Sequence, residues 1–257
     1  MTVLKKTSDR AASNSKKRLS GDVKLNIATN CALALLIFSV GIVCLFPVGG
    51  SEAVDAGNEE GVYRGAAAET DGVSLMFNVY WGTEEVYRIL DILAEHDAKA
   101  TFFVGGCWAD DNVDCVKEIL SRGHELGNHG YFHKDHASLS ESENREEISV
   151  CNRFIKLMTG ADMTLFAPPS GSYGKAALDA CAALGMKTIL WSRDTIDWRD
   201  KNASLIYTRA TKDIRGGEFV LMHPMEATAD ALGDILAYYD TQALRAVTVS
   251  ENLQNGG

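Results

Sequence analysis

The chain has 257 residues, 46% of them hydrophobic, which is enough for a sizeable core and excludes a disordered polymer. Its net charge of -10 is unevenly spread: residues 1–24 carry seven Lys/Arg against two Asp, which leaves the remainder at -15. The acidic remainder argues against nucleic acid as a partner, because phosphate binding needs clustered Lys and Arg and only the N-terminal arm has them.

In chain order, residues 1–24 form a basic arm. No charged residue falls between Lys24 and Glu52, and the stretch from Ala28 to Val48 matches the roughly 20 apolar residues a helix needs to cross a bilayer. The arm before it obeys the positive-inside rule, so residues 25–48 are expected as a single-pass membrane helix with everything after them outside the cytoplasm. Ser51-Glu52-Ala53 has the small-residue character of a cleavage site, which leaves a retained anchor, the preferred reading, beside a removed signal segment. Residues 49–72 are rich in Gly, Ala and acid without periodicity and read as a flexible linker.

From Val73 to the C-terminus, apolar runs of about five to seven residues alternate with helical stretches, the pattern of parallel strands joined by crossover helices. Seven runs are expected as strands: Val73 to Val79, Ala100 to Val104, Glu125 to Asn128, Met163 to Ala167, Lys187 to Trp191, Phe219 to His223 and Ala246 to Val249. Seven such units close most economically into a (β/α) barrel, so the fold class is α/β, preceded by the membrane helix. Between the strands, Thr83 opens a helix with acids in its first turn. Ser140 with Glu143 has capping-box spacing, and Gly185 is placed as a helix stop. In barrels and open doubly wound sheets alike, chemistry gathers at the C-terminal strand ends, where Asn78, His129, Pro168, Asp194 and His223 fall. Of six cysteines, Cys107, Cys115, Cys151 and Cys181 lie in this region without CxxC pairing, so buried thiols are expected and no metal is assigned to them.

The organising stretch is Gly127-Asn128-His129-Gly130-Tyr131-Phe132-His133, whose two histidines four apart can aim at one point. Alone, that spacing suits either a metal-ligand pair or a solvated turn. Together with KATFFVGG (99–106), GHELGNHGYFH (123–133), PPSGSYG (168–174), WSRDTIDW (191–198) and LMHP (221–224), it resembles the NodB-type polysaccharide deacetylases, carbohydrate esterase family four. The order and spacing match over residues 73–253. The Trp81-Gly82 turn is most similar to the membrane-anchored sporulation branch.

The resemblance implies a distorted (β/α) barrel that removes N-acetyl groups from amino sugars of a cell-wall glycan with a divalent metal, usually zinc; a monomer is expected. Carried over by position, His129 and His133 are metal ligands; Asn78, at the family's base position, is left to offer its amide oxygen as a weaker third ligand. His223 is the general acid, Asp197 its orienting carboxylate, and Asp194 the alternative for that role. Trp198, Leu221, Pro169 and Ser170 belong to the glycan groove, with core packing as the alternative for Trp198. His96, His124 and His136 fall at no motif position and are expected on the surface.

The departures are specific. The family's base and metal-ligand aspartates correspond to Asn78 and Val79, and the third motif's arginine and tyrosine to Ala167 and Ser170. An arginine without its carboxylate would be an unpaired charge, so the two losses belong together. Losing a positioned base costs about 10²–10⁴-fold in rate, with His223 or Glu84 as stand-ins. Two functions follow: a weak or altered metal-dependent deacetylase, or a catalytically silent glycan-binding or spore-envelope scaffold.

Overall fold

The structure is a computed structural model that describes residues 61–67 and 70–255. The expected arm and membrane helix, residues 1–48, lie outside the described residues, and none of the described helices is long and apolar enough to cross a membrane.

The strands are β1 (Val62–Tyr63), β2 (Gly72–Val79), β3 (Thr101–Val104), β4 (Glu125–Asn128), β5 (Leu165–Phe166), β6 (Lys187–Ile189), β7 (Arg193–Asp194), β8 (Phe219–Met222) and β9 (Arg245–Ala246). Between them run the helices α1 (Thr83–Glu95), α2 (Gly106–Asp111), α3 (Val113–Ser121), α4 (Glu141–Thr159), α5 (Lys175–Ala183), α6 (Asp197–Asp200), α7 (Ala203–Thr211), α8 (Glu226–Thr241) and α9 (Val249–Asn255). Every ladder is parallel, in the order β1-β6-β5-β4-β3-β2-β8-β7. The lower end of β2, Gly72 and Val73, pairs instead with β9.

The outermost strands β1 and β7 do not pair with each other. What crosses from β1 to β8 is one antiparallel bridge between Gly65 and Glu218, with Ala66 N–H donating to the Gly217 carbonyl at 2.7 Å. The expected seven-stranded barrel is therefore a parallel half-barrel. Its two unforeseen strands, β1 and β7, are two residues each, too short for periodicity to reveal. β1 lies inside the stretch expected as linker. The last strand ends at Ala246, and Val249 instead opens α9.

Strand alternation sorts the side chains into two layers. Leu75, Phe77 and Val79 of β2 face outward with Phe102, Val104, Val220 and Met222, under helices that include α1, α3 and α8. Helix α1 joins that layer through Val86, Ile89, Leu90 and Leu93, the i, i+3, i+4, i+7 stripe of an amphipathic helix. Full burial stabilises by about 1.5–3 kcal/mol per such side chain. Facing inward are Met76, Phe103, Leu165, Ala167, Ile189 and Phe219, which plug the half-barrel and form the floor beneath the site. Gly127 is required here, since a Cβ at that position would lie 2.3 Å from the Phe103 ring.

The expected helix signals are present. Ser140 and Glu143 form a reciprocal capping box at α4, which stops at Gly160 in a left-handed conformation. Gly185, φ +68°, ends the turn after α5. All four described cysteines are free, and Cys115, Cys151 and Cys181 are buried. Burial pushes the Cys115 and Cys151 thiols up to about 11 and about 12.

Candidate active site

At the C-terminal strand ends lies a cavity of about 340 Å³. Asn78 from β2, Leu221 from β8 and Asp194 from β7 reach it directly, while His129, His133, Ser170 and His223 come from the loops after β4, β5 and β8. Tyr80, Trp81, Trp191 and Trp198 complete the wall. The three imidazoles of the motifs thus share one cleft.

The His129–His133 loop is held from below. Asn128 donates to the Ile148 carbonyl and the Asn152 amide oxygen and accepts from Gly130 N–H at 2.7 Å, which sets the turn after β4. Glu147, buried on α4, accepts from the N–H groups of Tyr131 and Phe132 at 3.1 and 2.9 Å and pairs with Lys134 at 3.0 Å. The pair's rings sit 5.1 Å apart at 70°. His129 lies 2.7 Å from the Ala167 carbonyl through Nδ1. A carbonyl only accepts, so Nδ1 carries the proton and Nε2 keeps its lone pair. Burial, reinforced by His133, pushes His129 down to about 3, and burial lowers His133 as well. Both are neutral imidazoles near pH 7, the form that ligates metals.

Asn78 is 3% exposed, and its amide oxygen is buried without a hydrogen-bond partner. That orphaned acceptor beside two imidazoles fits a divalent cation, which takes nitrogen and carbonyl oxygen together. No carboxylate joins the set, and among the described residues no group of three His, Cys, Asp or Glu could hold a metal. The donors are present; the negative charge that makes such sites tight is not. Val79 cannot supply it. β2 stays in register with β3 to its last residue, Val79 opposite Val104, so the side chain points into the outer apolar layer.

Across the cavity, His223 and Asp197 form a finished dyad. Asp197 is fully buried and accepts from four donors: His223 Nδ1 at 2.7 Å, His223 N at 2.6 Å, Trp198 N at 2.8 Å and Thr228 Oγ1 at 2.7 Å. The carboxylate fixes the imidazole tautomer, leaving the other ring nitrogen to work. Asp197 rather than Asp194 holds His223. Asp194 lines the cavity with one oxygen bound to Ile196 N at 2.8 Å, and burial raises its carboxyl above the usual range.

Other expected residues divide. Trp198 is 50% exposed and lines the cavity, as a groove wall would, with Leu221 and Ser170 beside it. Pro169 is instead buried in the turn after β5, and Glu84 is exposed outside the cavity. His124 and His136, expected on the surface, are 5% and 0% exposed. His124 accepts from Ala100 N and His136 bonds Asn144 at 2.6 Å, so both are built into loop packing. Tyr80, Trp81 and Trp191 were not foreseen as site residues. Tyr80 packs on His133 with centroids 4.6 Å apart, and Trp81 stacks on His223 at 5.7 Å and 5°. The Trp81-Gly82 turn was the one sequence sign. Gly82 has φ +77° and a Cβ there would lie 2.3 Å from the Pro224 carbonyl oxygen, so the turn seats Trp81 against the His223 loop.

A half-barrel with a histidine pair, a buried Asp–His dyad and an aromatic-walled cleft defines a class, and the chain belongs to the polysaccharide deacetylase family. The family model for polysaccharide deacetylase matches residues 66–189. The chain is 38% identical over 192 residues to the uncharacterized protein YlxY of Bacillus subtilis, covering 75% of this chain and 60% of that protein. It is 32% identical to a peptidoglycan-N-acetylglucosamine deacetylase of Bacillus cereus, covering 65% of this chain and 81% of the relative. Among solved structures it is similar to BA3943, a CE4 family pseudoenzyme from Bacillus anthracis, with TM-score 0.73, 35% identity and coverage of 75% and 68%. A BA3943 mutant with restored enzymatic activity aligns with the same TM-score, at 34% identity.

Proposed function

We propose that the domain binds an N-acetylated amino-sugar polymer of the peptidoglycan type and hydrolyses its amide slowly, with a divalent cation, zinc by family resemblance, held by His129, His133 and Asn78 Oδ1. The observation that carries this reading is the Asp197–His223 dyad, fully hydrogen-bonded and facing the same cavity as the histidine pair. Amide hydrolysis needs an acid to protonate the departing amine, and His223 is placed for that. When bound, the cation would polarise the acetyl carbonyl and lower the pKa of the attacking water. Trp198 and Leu221 offer apolar faces for a sugar ring. Asn78 cannot accept the water's proton, and this is why turnover is slow.

A second reading, a catalytically silent glycan-binding or spore-envelope scaffold, is favoured by Val79 packing away from the cavity and by similarity to a pseudoenzyme. Acetate release from N-acetylglucosamine oligomers or peptidoglycan, with zinc, cobalt or manganese supplied, separates the two. Release above a His129→Ala/His133→Ala control supports slow hydrolysis, and release equal to the control leaves the scaffold. The uncharged stretch after a basic arm supports anchoring in the cell membrane by residues 25–48, with the domain, which begins at β1 rather than at residue 73, outside. The Trp81-Gly82 turn supports a role in sporulation.

A further inference from the structure

The charge of the cavity and the nature of its walls point in one direction. Four aromatic side chains line it, Tyr80, Trp81, Trp191 and Trp198, and no Lys or Arg does. Its titratable groups are His129, His133, His223, Tyr80 and Asp194, with Asp197 directly beneath His223. The two carboxylates are differently engaged: all of Asp197's bonds go inward, whereas one oxygen of Asp194 takes no hydrogen bond from the described residues. Ala167 stands where the family resemblance places an arginine, so the basic side chain that the resemblance implies in this cleft is missing. A cleft with indole and phenol faces, a free carboxylate oxygen and no Lys or Arg in its lining has the composition that recognises an ammonium group: the π faces attract a cation and the carboxylate pairs with it.

We propose that this cavity, in its metal-free state, selects the free-amino form of an amino-sugar glycan, glucosamine units carrying an ammonium group, over the N-acetylated form. The inference rests on the glycan-binding part of the proposed function and goes beyond it by naming the chemical state of the sugar retained. With an N-acetyl group, the free oxygen of Asp194 feels only the longer-range charges of Arg209 and Arg199 behind it, whereas the ammonium left by deacetylation pairs with it directly. The metal-free domain therefore holds deacetylated glycan, whether or not it made it.

The test is calorimetric titration of the full chain, in EDTA at pH 6, with glucosamine pentamer and with N-acetylglucosamine pentamer. The free-amino pentamer is expected to bind about tenfold tighter or more, the scale of one ammonium–aromatic and carboxylate contact set. Asp194→Asn keeps the oxygen that accepts from Ile196 N, and should bring the affinity ratio close to one. For the unaltered chain, raising the pH above the amine's own pKa should erase the preference as well, which tests the charge without any substitution. Equal or tighter binding of the N-acetylated pentamer, or a preference that survives amine deprotonation, overturns the inference and leaves glycan binding intact. Binding of neither pentamer overturns the glycan reading itself.

Discussion

Replacing Asn78 by Asp changes one amide nitrogen to oxygen at nearly constant volume, at a position 3% exposed with an unpartnered oxygen. Without a cation the new carboxylate has no positive partner, since His129 is held neutral by burial. Desolvation raises its pKa, and a rise of roughly two units corresponds to about 3 kcal/mol lost at pH 7, above the folded pKa. For a domain of this size that lowers Tm by roughly 6–12 °C. Zinc should reverse the loss, because an N,N,O set completed by a carboxylate binds the folded state far better. If the missing base alone limits turnover, acetate release from N-acetylglucosamine oligomers with zinc should rise by about 10²–10⁴-fold. Ala167→Arg alone should destabilise by on the order of 3 kcal/mol, placing a lone charge in the inner layer, and by much less beside Asp at 78, where it finds a partner. A folded, zinc-bound Asn78→Asp variant with an unchanged rate would refute the argument, and so would additive stability costs in the double variant.

Asp197→Asn puts a donor against donors in a fully buried site; it should cost on the order of 2–4 kcal/mol in urea unfolding and abolish any acetate release. An unchanged unfolding midpoint would mean the dyad is not the anchor of the His223 loop. Glu147→Ala frees the Tyr131 and Phe132 amides, so the His133 loop loosens; zinc affinity by competitive chelation should fall about 10–100-fold, and equal affinity would show the loop is held by other means. His124 is buried with Nδ1 accepting from Ala100 N, and burial pushes it down to about 4. The unfolded chain takes up its proton near pH 6.5 and the folded one only near 4, so stability should fall by about 3 kcal/mol between those values and then level. A His124 ring titrating near 6.5 in the native protein, followed by NMR, would contradict this.

Much of this protein is written in its linear order. The βα alternation from Val73, the Ser140–Glu143 cap and the placement of Asn78, His129 and His223 at strand ends all follow from local pattern, because periodicity and capping act over a few residues. The pairing of Asp197 with His223 was legible through the family resemblance, and the four bonds made by Asp197 give it its physical reason. Other features needed the folded chain. β1 and β7 exist only because β6 and β8 offer them an edge, and two residues leave no periodic trace. His124 and His136 read as surface residues because their burial depends on loops folding back from other elements. The direction of Val79 was settled by the β2–β3 register, which turns alternate side chains to opposite faces of the sheet. The convergence of Tyr80, Trp81 and Trp191 on the histidines was decided by three loops meeting over the half-barrel mouth, a long-range arrangement that no local spacing encodes.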